Sequence, residues 1–223
     1  MRFAAVLVLA LAGCKDSSRS EPACPHQPGV DRSGFVRVTG GFPPTVLRRD
    51  LDLKGLAAES GGAASGGSNP QGLTAVGHQL RFQSRVEAET ARGRTCLWFD
   101  QVVVDLTPSS IQIFIPTEYA DGSCEYDAIL VHEREHERVH RESLTAAAAE
   151  IHAALEAADW LPGKGNPFET NDRAAAQAEL ESKIRRVVEP VYASYKEKLA
   201  LAQADLDRPD LYQWVSKRCA GWK

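Results

Sequence analysis

The chain has 223 residues, of which 43% are hydrophobic and 25% are charged. This composition is sufficient for one hydrophobic core and excludes fibrous, collagen-like and wholly disordered proteins. The formal net charge of −4 gives no broad positive field, so the sequence predicts no nucleic-acid partner.

The N-terminus is typical of an export signal. Arg2 supplies a positive charge, and residues 3–11 form an apolar run far shorter than the roughly 20 residues that span a bilayer. The run ends in LAGC at residues 11–14, which resembles a bacterial lipobox. The resemblance implies that residues 1–13 are a lipoprotein signal peptide and that Cys14 is lipidated. A cleaved signal followed by an incidental cysteine is the alternative.

The residues after Cys14 indicate where the chain is anchored. Lys15 stands where an aspartate would resemble an inner-membrane retention signal, so we expect an exported protein held at the outer membrane and facing the periplasm. Residues 14–33, rich in Ser, Pro and charge, predict a flexible tether. Residues 34–223 then form a single domain.

Four cysteines remain once Cys14 is set aside, and in an exported chain they predict two disulfides. Their spacing fits no Cys-x-x-Cys zinc pattern, and four cysteines allow three pairings. Cys96 and Cys124 both flank the central β segment, which favours pairing them with each other and pairing Cys24 with Cys219.

The periodicity changes once along the domain. Alternating apolar residues predict three consecutive antiparallel strands near 80–88, 96–106 and 111–115. A helical period then predicts one helix from about Ser123 to about Asp159 and a second from an Asn171 N-cap to about Leu206. The predicted fold is α+β, with a small antiparallel sheet of three or more strands packed on a long antiparallel two-helix hairpin.

The first helix carries the motif His132-Glu133-x-x-His136. Residues four apart lie one turn apart on the same helix face, so both imidazoles can bind one Zn²⁺ while Glu133 reaches a metal-activated water as general base. At about 100° per residue, these three side chains fall on the same arc as the apolar positions, whereas Arg134 and Arg138 fall on the opposite arc. Buried polar groups need partners, which favours a zinc site over a solvated charged face.

His140 is excluded as a third ligand, because it lies eight residues and roughly 12 Å along the helix from His132. It is expected either to hydrogen-bond a neighbouring metal ligand or the substrate, or to be a core histidine. An antiparallel hairpin sets His136 opposite about residue 194, where Glu197 and Glu189 are the nearby carboxylates. Glu197 is the preferred ligand because Pro190 disturbs the helix beside Glu189. Nearby phenols that would steady an oxyanion are those of Tyr192 and Tyr195.

Around this motif the sequence resembles the zincin metallopeptidases, and in particular bacterial secreted proteins and lipoproteins described as predicted zinc-dependent proteases. The resemblance is carried by CEY at residues 124–126 and by residues 128–142, with weaker likeness around Cys96 and residues 212–219. It implies a zincin-like domain in which His132 and His136 bind zinc and Glu133 is the base for attack on a peptide carbonyl. No glycine and histidine follow to complete HExxHxxGxxH, which excludes the metzincin branch.

The expected function is therefore that of an envelope-anchored zinc metallopeptidase acting on a peptide or protein substrate. Strand 111–115, directly before the helix, is the candidate edge for binding an extended substrate, and an interior position is the alternative. The alternative function is a non-catalytic lipoprotein, either a degenerate zincin or a helical scaffold that binds a protein partner.

Overall fold

The computed structural model describes residues 23–24, 34–60, 70–208, 213, 217–220 and 222. The elements in chain order are β1 (Val36–Thr39), β2 (Thr45–Arg48), α1 (Leu53–Glu59), β3 (Leu73–Val76), β4 (Arg81–Ala91), β5 (Arg94–Asp105), β6 (Ile111–Phe114), α2 (Cys124–Glu156), β7 (Phe168–Thr170) and α3 (Arg173–Leu206). The fold is α+β, as the sequence predicts.

The first sheet is built around β5. The hairpin of β4 and β5 is antiparallel and turns at Arg92 and Gly93, which both have positive φ. Such a two-residue turn matches the twist of the flanking strands. On its other edge β5 pairs with β1 in parallel and with β7 antiparallel. This sheet is therefore mixed, and the expectation of a purely antiparallel sheet is wrong.

The second sheet has the strand order β2-β6-β3. β6 runs parallel to β2 and antiparallel to β3, so it does not pair with β5 as the sequence order suggested. Sequence periodicity indicates which segments are strands but does not choose their partners. Because β6 is the central strand, both of its edges are hydrogen-bonded. Of the two expectations for this strand, the interior position is correct and the substrate-binding edge is wrong.

The two sheets cover different halves of α2. Ser123 caps the helix, which starts where the sequence predicts. Ile113 of β6 and Ile115, the second residue after Ile113 and the first beyond the end of β6, pack on Ile129, in the first half of α2. The larger core joins the first sheet to the second half of α2 and to α3; its fully buried members include Leu97, Phe99, Leu144, Ile151 and Ile184. The HExxH motif lies where these two packing regions meet.

The contacts between α2 and α3 fix the level of every residue near the motif. His140 contacts Tyr195, whereas His136 contacts Gln203, so later residues of α2 meet earlier residues of α3. The helices are not joined by a tight turn: β7 lies between them and pairs with β5, and α3 is capped by Asp172 rather than by Asn171. Consequently His136 lies opposite residue 203, and the predicted level near residue 194 is wrong.

The two disulfides are Cys24–Cys96 and Cys124–Cys219. The number of disulfides is as predicted, but the preferred pairing is wrong. Cys96 lies on β5 and Cys124 begins α2, so they belong to different parts of the fold although both flank the strands in sequence. Each disulfide ties a segment near one chain end to the domain.

Several sequence predictions concern residues outside the described part of the chain. They include the signal peptide at residues 1–13, the lipidated Cys14 and all of the tether except residues 23–24. Among the residues that the structure describes, no helix combines the length and the apolar character that a membrane span requires.

We predict that replacing both Cys124 and Cys219 by serine lowers the free energy of unfolding by about 3–5 kcal/mol. The disulfide closes a loop with a sequence separation of 95 residues, and without it the unfolded chain gains conformational entropy. Urea unfolding of the variant and the oxidised wild type measures the difference. A peptide map of the non-reduced wild type that joins Cys96 to Cys124 would contradict the pairing.

Candidate metal centre

The motif face of α2 points into the protein. Glu133 is 3% exposed and His136 is 8% exposed, and the side chain of His132 is also largely buried. Arg134 and Arg138, on the opposite face, are exposed. This confirms the orientation predicted from the helical period. The polar groups on this face must then find partners inside the fold, because burying them unpaired would cost several kcal/mol.

Two histidine nitrogens and one carboxylate oxygen converge at this point. His136 Nε2 lies 3.0 Å from His132 Nε2 and 3.0 Å from Asp207 Oδ1, and His132 Nε2 lies 3.2 Å from the same oxygen. Among the described residues, these three form the group of side chains able to hold a metal ion. They come from two elements: the histidines from α2 and Asp207 from the C-cap of α3.

The geometry and the donor types fit a divalent cation such as zinc. Zinc takes imidazole nitrogens and carboxylate oxygens at about 2.0–2.2 Å, so tetrahedral ligands lie about 3.3 Å apart. The three separations of 3.0–3.2 Å are close to this value. Three protein ligands leave a fourth position open, which is the arrangement of catalytic rather than structural zinc sites.

Gln203 fixes the orientation of the His136 ring. Its Nε2 donates to the His136 carbonyl at 3.0 Å, so its Oε1 faces His136 Nδ1 and accepts a hydrogen bond from it. An amide oxygen only accepts, so Nδ1 carries a proton and Nε2 is the nitrogen that faces the other two donor atoms. Because Gln203 keeps a proton on Nδ1, Nε2 is the nitrogen that would lose its proton and bind when a metal enters.

The electrostatics of the group follow from its burial and its pairing. Burial alone lowers the pKa of His136, but the hydrogen bond to Asp207 and the nearby charge of Glu133 raise it to about 8. Burial alone raises the pKa of Asp207, but hydrogen bonds to His132 and His136 hold it well below its ordinary value. The carboxylate is thus ionised at neutral pH and available to a cation.

Asp207, not Glu197, is the carboxylate that the structure places beside the histidines. Glu197 and Glu189 are both exposed on α3. The preference for Glu197 fails because the helices meet in a different register from that of a tight hairpin. The sequence did contain a signal for Asp207. Gln203 and Asp207 are four residues apart, like His132 and His136. The helix macrodipole also disfavours a carboxylate at a helix C-terminus, so an aspartate there indicates another role.

Glu133 is held by β3. Thr74 Oγ1 lies 2.8 Å from Glu133 Oε2 and 2.9 Å from the Glu133 carbonyl. Burial raises the pKa of Glu133, opposed by the charges of His136 and His132 and by the Thr74 hydrogen bond. Gly72 leaves room for the carboxylate, since a Cβ there would lie 2.5 Å from Glu133 Oε1. A buried carboxylate with a raised pKa is suited to take up a proton.

His140 belongs to a different contact. It is 2% exposed, and its Nε2 lies 3.1 Å from the hydroxyl of Tyr195. Of the two expectations for His140, the structure supports a buried histidine satisfied on one side by Tyr195. Tyr195 is itself buried, and burial raises its pKa, so its hydroxyl is neutral and paired with His140. The predicted use of Tyr195 to steady an oxyanion is not supported by this contact.

Comparison of the chain with models of known protein families, with curated proteins and with solved structures finds no match.

We predict that Asp207→Asn lowers the affinity for zinc by at least about 100-fold, because it removes the charged donor of a three-ligand group. Isothermal titration of the metal-free protein with zinc measures the affinity. Asp205→Asn is the matched control, since Asp205 is exposed two residues earlier on α3 and the charge change is the same. Glu197→Gln should also retain the wild-type affinity; a loss there instead of at Asp207 would contradict the assignment.

We predict that the folded state loses stability as the pH falls from about 6.5 to about 4. Burial and the nearby charges of His78 and Arg141 lower the pKa of His140 to about 4. The unfolded chain takes up a proton on this histidine near pH 6.5, which the folded chain resists, so acid favours unfolding in this window. At pH 4.5 this difference in proton uptake lowers the free energy of unfolding by about 2–3 kcal/mol.

Urea unfolding of His140→Gln at pH 7.0 and 4.5 isolates this contribution from that of other groups. The loss of stability between the two pH values should be smaller in this variant than in the wild type by about the amount given above. His152→Gln, at an exposed position on the same helix, should behave like the wild type. Equal acid losses in all three proteins would show that His140 is not held neutral.

Proposed function

We propose that the chain is an exported zinc-dependent peptidase that hydrolyses peptide bonds through a metal-activated water. The observation that carries this proposal is the convergence of His132, His136 and Asp207 beside the buried carboxylate of Glu133. Two imidazoles and one carboxylate with an open fourth position form the ligand set of many hydrolytic zinc sites.

Each residue has a defined task in this mechanism. A zinc ion at the site would supply an activated water and polarise a substrate carbonyl. Glu133 accepts the proton of the attacking water and returns it to the leaving amine, for which its buried position and raised pKa are suited. Thr74 orients the Glu133 carboxylate, and Gln203 keeps the lone pair of His136 Nε2 directed toward the metal. Asp207 would balance part of the charge of a bound cation.

β3 is the strand that we propose for binding an extended substrate. Among the described strands it pairs only with β6, and we propose that an extended peptide adds to its other edge. Thr74 of this strand contacts the Glu133 carboxylate, so β3 lies directly against the proposed general base. A peptide added to this edge lies next to the general base, which is the position that hydrolysis requires.

We further propose that the protein is a lipoprotein of the cell envelope, with Cys14 as its anchor. Two disulfides favour an oxidising compartment. Cys24 is fixed to β5, so only about ten residues separate the domain from the proposed lipid. At about 3.5 Å per residue this tether reaches no more than about 35 Å, so the domain would act close to the membrane surface.

We predict that Glu133→Gln retains zinc but reduces cleavage of an unfolded protein by about 10²–10⁴-fold, because an amide cannot accept the water's proton. Zinc content and the rate of hydrolysis of a denatured casein are the two measurements. Glu135→Gln is the matched control, since Glu135 lies on the exposed face of the same helix turn. It should keep both zinc and activity.

Equal cleavage by wild type and Glu133→Gln would show that the activity does not come from this site. No cleavage by any zinc-loaded form would remove the peptidase proposal and favour the non-catalytic alternative, a lipoprotein that binds a protein partner.

A further inference from the structure

A second set of polar side chains lies one helical turn beyond the metal centre. His140, four residues after His136, is 2% exposed, and its Nδ1 has no hydrogen-bond partner among the described residues. Its other nitrogen is paired with the hydroxyl of Tyr195. Buried polar atoms without a partner are rare in folded proteins, and each one calls for an explanation.

The pairing with Tyr195 identifies Nδ1 as a donor. The His140 ring is neutral at pH 7 and carries one N–H. If the proton were on Nε2, both the Nδ1 lone pair and the Tyr195 hydroxyl proton would be unpaired. If it is on Nδ1, the hydroxyl donates to Nε2 and only one group, the Nδ1–H, is unpaired. The second arrangement costs less, so the atom that needs a partner is a buried donor.

The side chains around this donor are basic. The ring centroid of His78, an exposed residue just after β3, lies 5.0 Å from that of His140. Lys196, on α3, lies near His78 rather than against His140: its charge lowers the pKa of His78, and its Nζ is 5.4 Å from the centre of the Tyr192 ring. Within the described part of the chain, the structure shows no carboxylate in ion-pair contact with Lys196. The charge of Arg141 also lowers the pKa of His140. An Arg141 guanidinium nitrogen lies 2.6 Å from a Glu137 carboxylate oxygen, which balances that charge.

This environment favours an anion over a second metal ion. Two imidazoles with N–H groups and one ammonium supply donors and positive charge, and no acidic side chain is among the groups that shift the pKa of His78 or His140. Carboxylates are bound by such charge-assisted hydrogen bonds.

The position of the three residues relates them to the metal centre. A spacing of four residues on α2 puts His140 about 6 Å beyond His136 along the helix axis. On the opposite side, β3 leads from Thr74 over Glu133 to His78 next to His140. An extended peptide advances about 3.3 Å per residue. A peptide on the β3 edge with its reacting bond at the metal centre therefore reaches His78 and His140 about two residues further on.

We propose that His140, His78 and Lys196 form a subsite for a carboxylate group of the peptide substrate, about two residues from the bond that is cleaved. The identification of the ligand as part of a peptide rests on the proposed function; the subsite itself rests on the unpaired donor and its basic neighbours. The carboxylate is either the C-terminus of the peptide or an Asp or Glu side chain. A C-terminal carboxylate would make the enzyme one that releases short C-terminal fragments.

Binding measurements on the zinc-loaded full chain carrying Glu133→Gln test the subsite without consuming the probes. The probes are acetyl-trialanine as the free acid, acetyl-trialanine amide, and acetyl-Ala-Glu-Ala amide, each titrated calorimetrically at pH 7. At least one carboxylate peptide should bind about tenfold more tightly than the neutral amide. Preference for the free acid assigns the C-terminus, and preference for the glutamyl amide assigns a side chain.

Lys196→Gln and His78→Gln, added to the same chain, should each reduce this preference to about twofold or less. Both positions are exposed, so neither variant is expected to unfold the protein. Lys198→Gln is the matched control, an exposed lysine two residues along α3 that has no contact with the histidines among those described. It should keep the full preference.

A nitrogen-15 spectrum of the histidine rings provides a direct readout. The His140 Nδ1 resonance should shift when the preferred carboxylate peptide is added and should not shift with the neutral amide. Equal binding of all three probes, or a preference that survives in both Lys196→Gln and His78→Gln, would overturn the subsite. If the preference is present and lost in these variants while the wild type cleaves nothing, the subsite stands and the peptidase proposal falls.

Discussion

The site depends on two pairs of residues that face each other across two helices. His132 and His136 are four apart on α2, and Gln203 and Asp207 are four apart on α3. Because the spacing is the same, the His136 ring contacts the Gln203 amide, and both histidine rings contact the Asp207 carboxylate. A shift of either helix by one residue would turn its side chains by about 100° and separate the donor atoms. The packing of α2 on α3 therefore also positions the three side chains that could hold a metal ion.

The second sheet supplies what the helices alone do not. β3 lies against α2 and gives Glu133 its hydrogen bond from Thr74, while Gly72 provides the space for the carboxylate. Without this strand Glu133 would be an exposed acid of ordinary pKa on a charged helix. With it, the carboxylate is buried, oriented and raised in pKa beside the two histidines. The same strand continues toward His78, so it connects the proposed base to the proposed carboxylate subsite.

The disulfides connect segments near the two chain ends to the domain and do not lie at the candidate metal group. Cys124 begins α2 eight residues before His132, and its partner Cys219 follows Asp207 by twelve residues. The pair thus closes a loop that contains all three candidate ligands, His132, His136 and Asp207. Cys24 is held at β5, in the first sheet. Neither disulfide supplies a donor to the candidate metal group.

Among the described elements, the sequence by itself located the strands β4, β5 and β6 and the two long helices. It also determined that His132, Glu133 and His136 face inward and that four cysteines form two disulfides. These features are local or compositional: hydrophobic periodicity, helix capping and the even number of cysteines record them directly. Only the tertiary structure decided the mixed pairing of the sheets, the disulfide partners, Asp207 in place of Glu197, and the meeting of His140 with His78. Each of these depends on which distant residues come into register, and a periodic pattern contains no information about the length and path of the connections between elements. The connection between α2 and α3, which contains β7, sets the register of the two helices. That register brings Asp207, and not Glu197, to the two histidines.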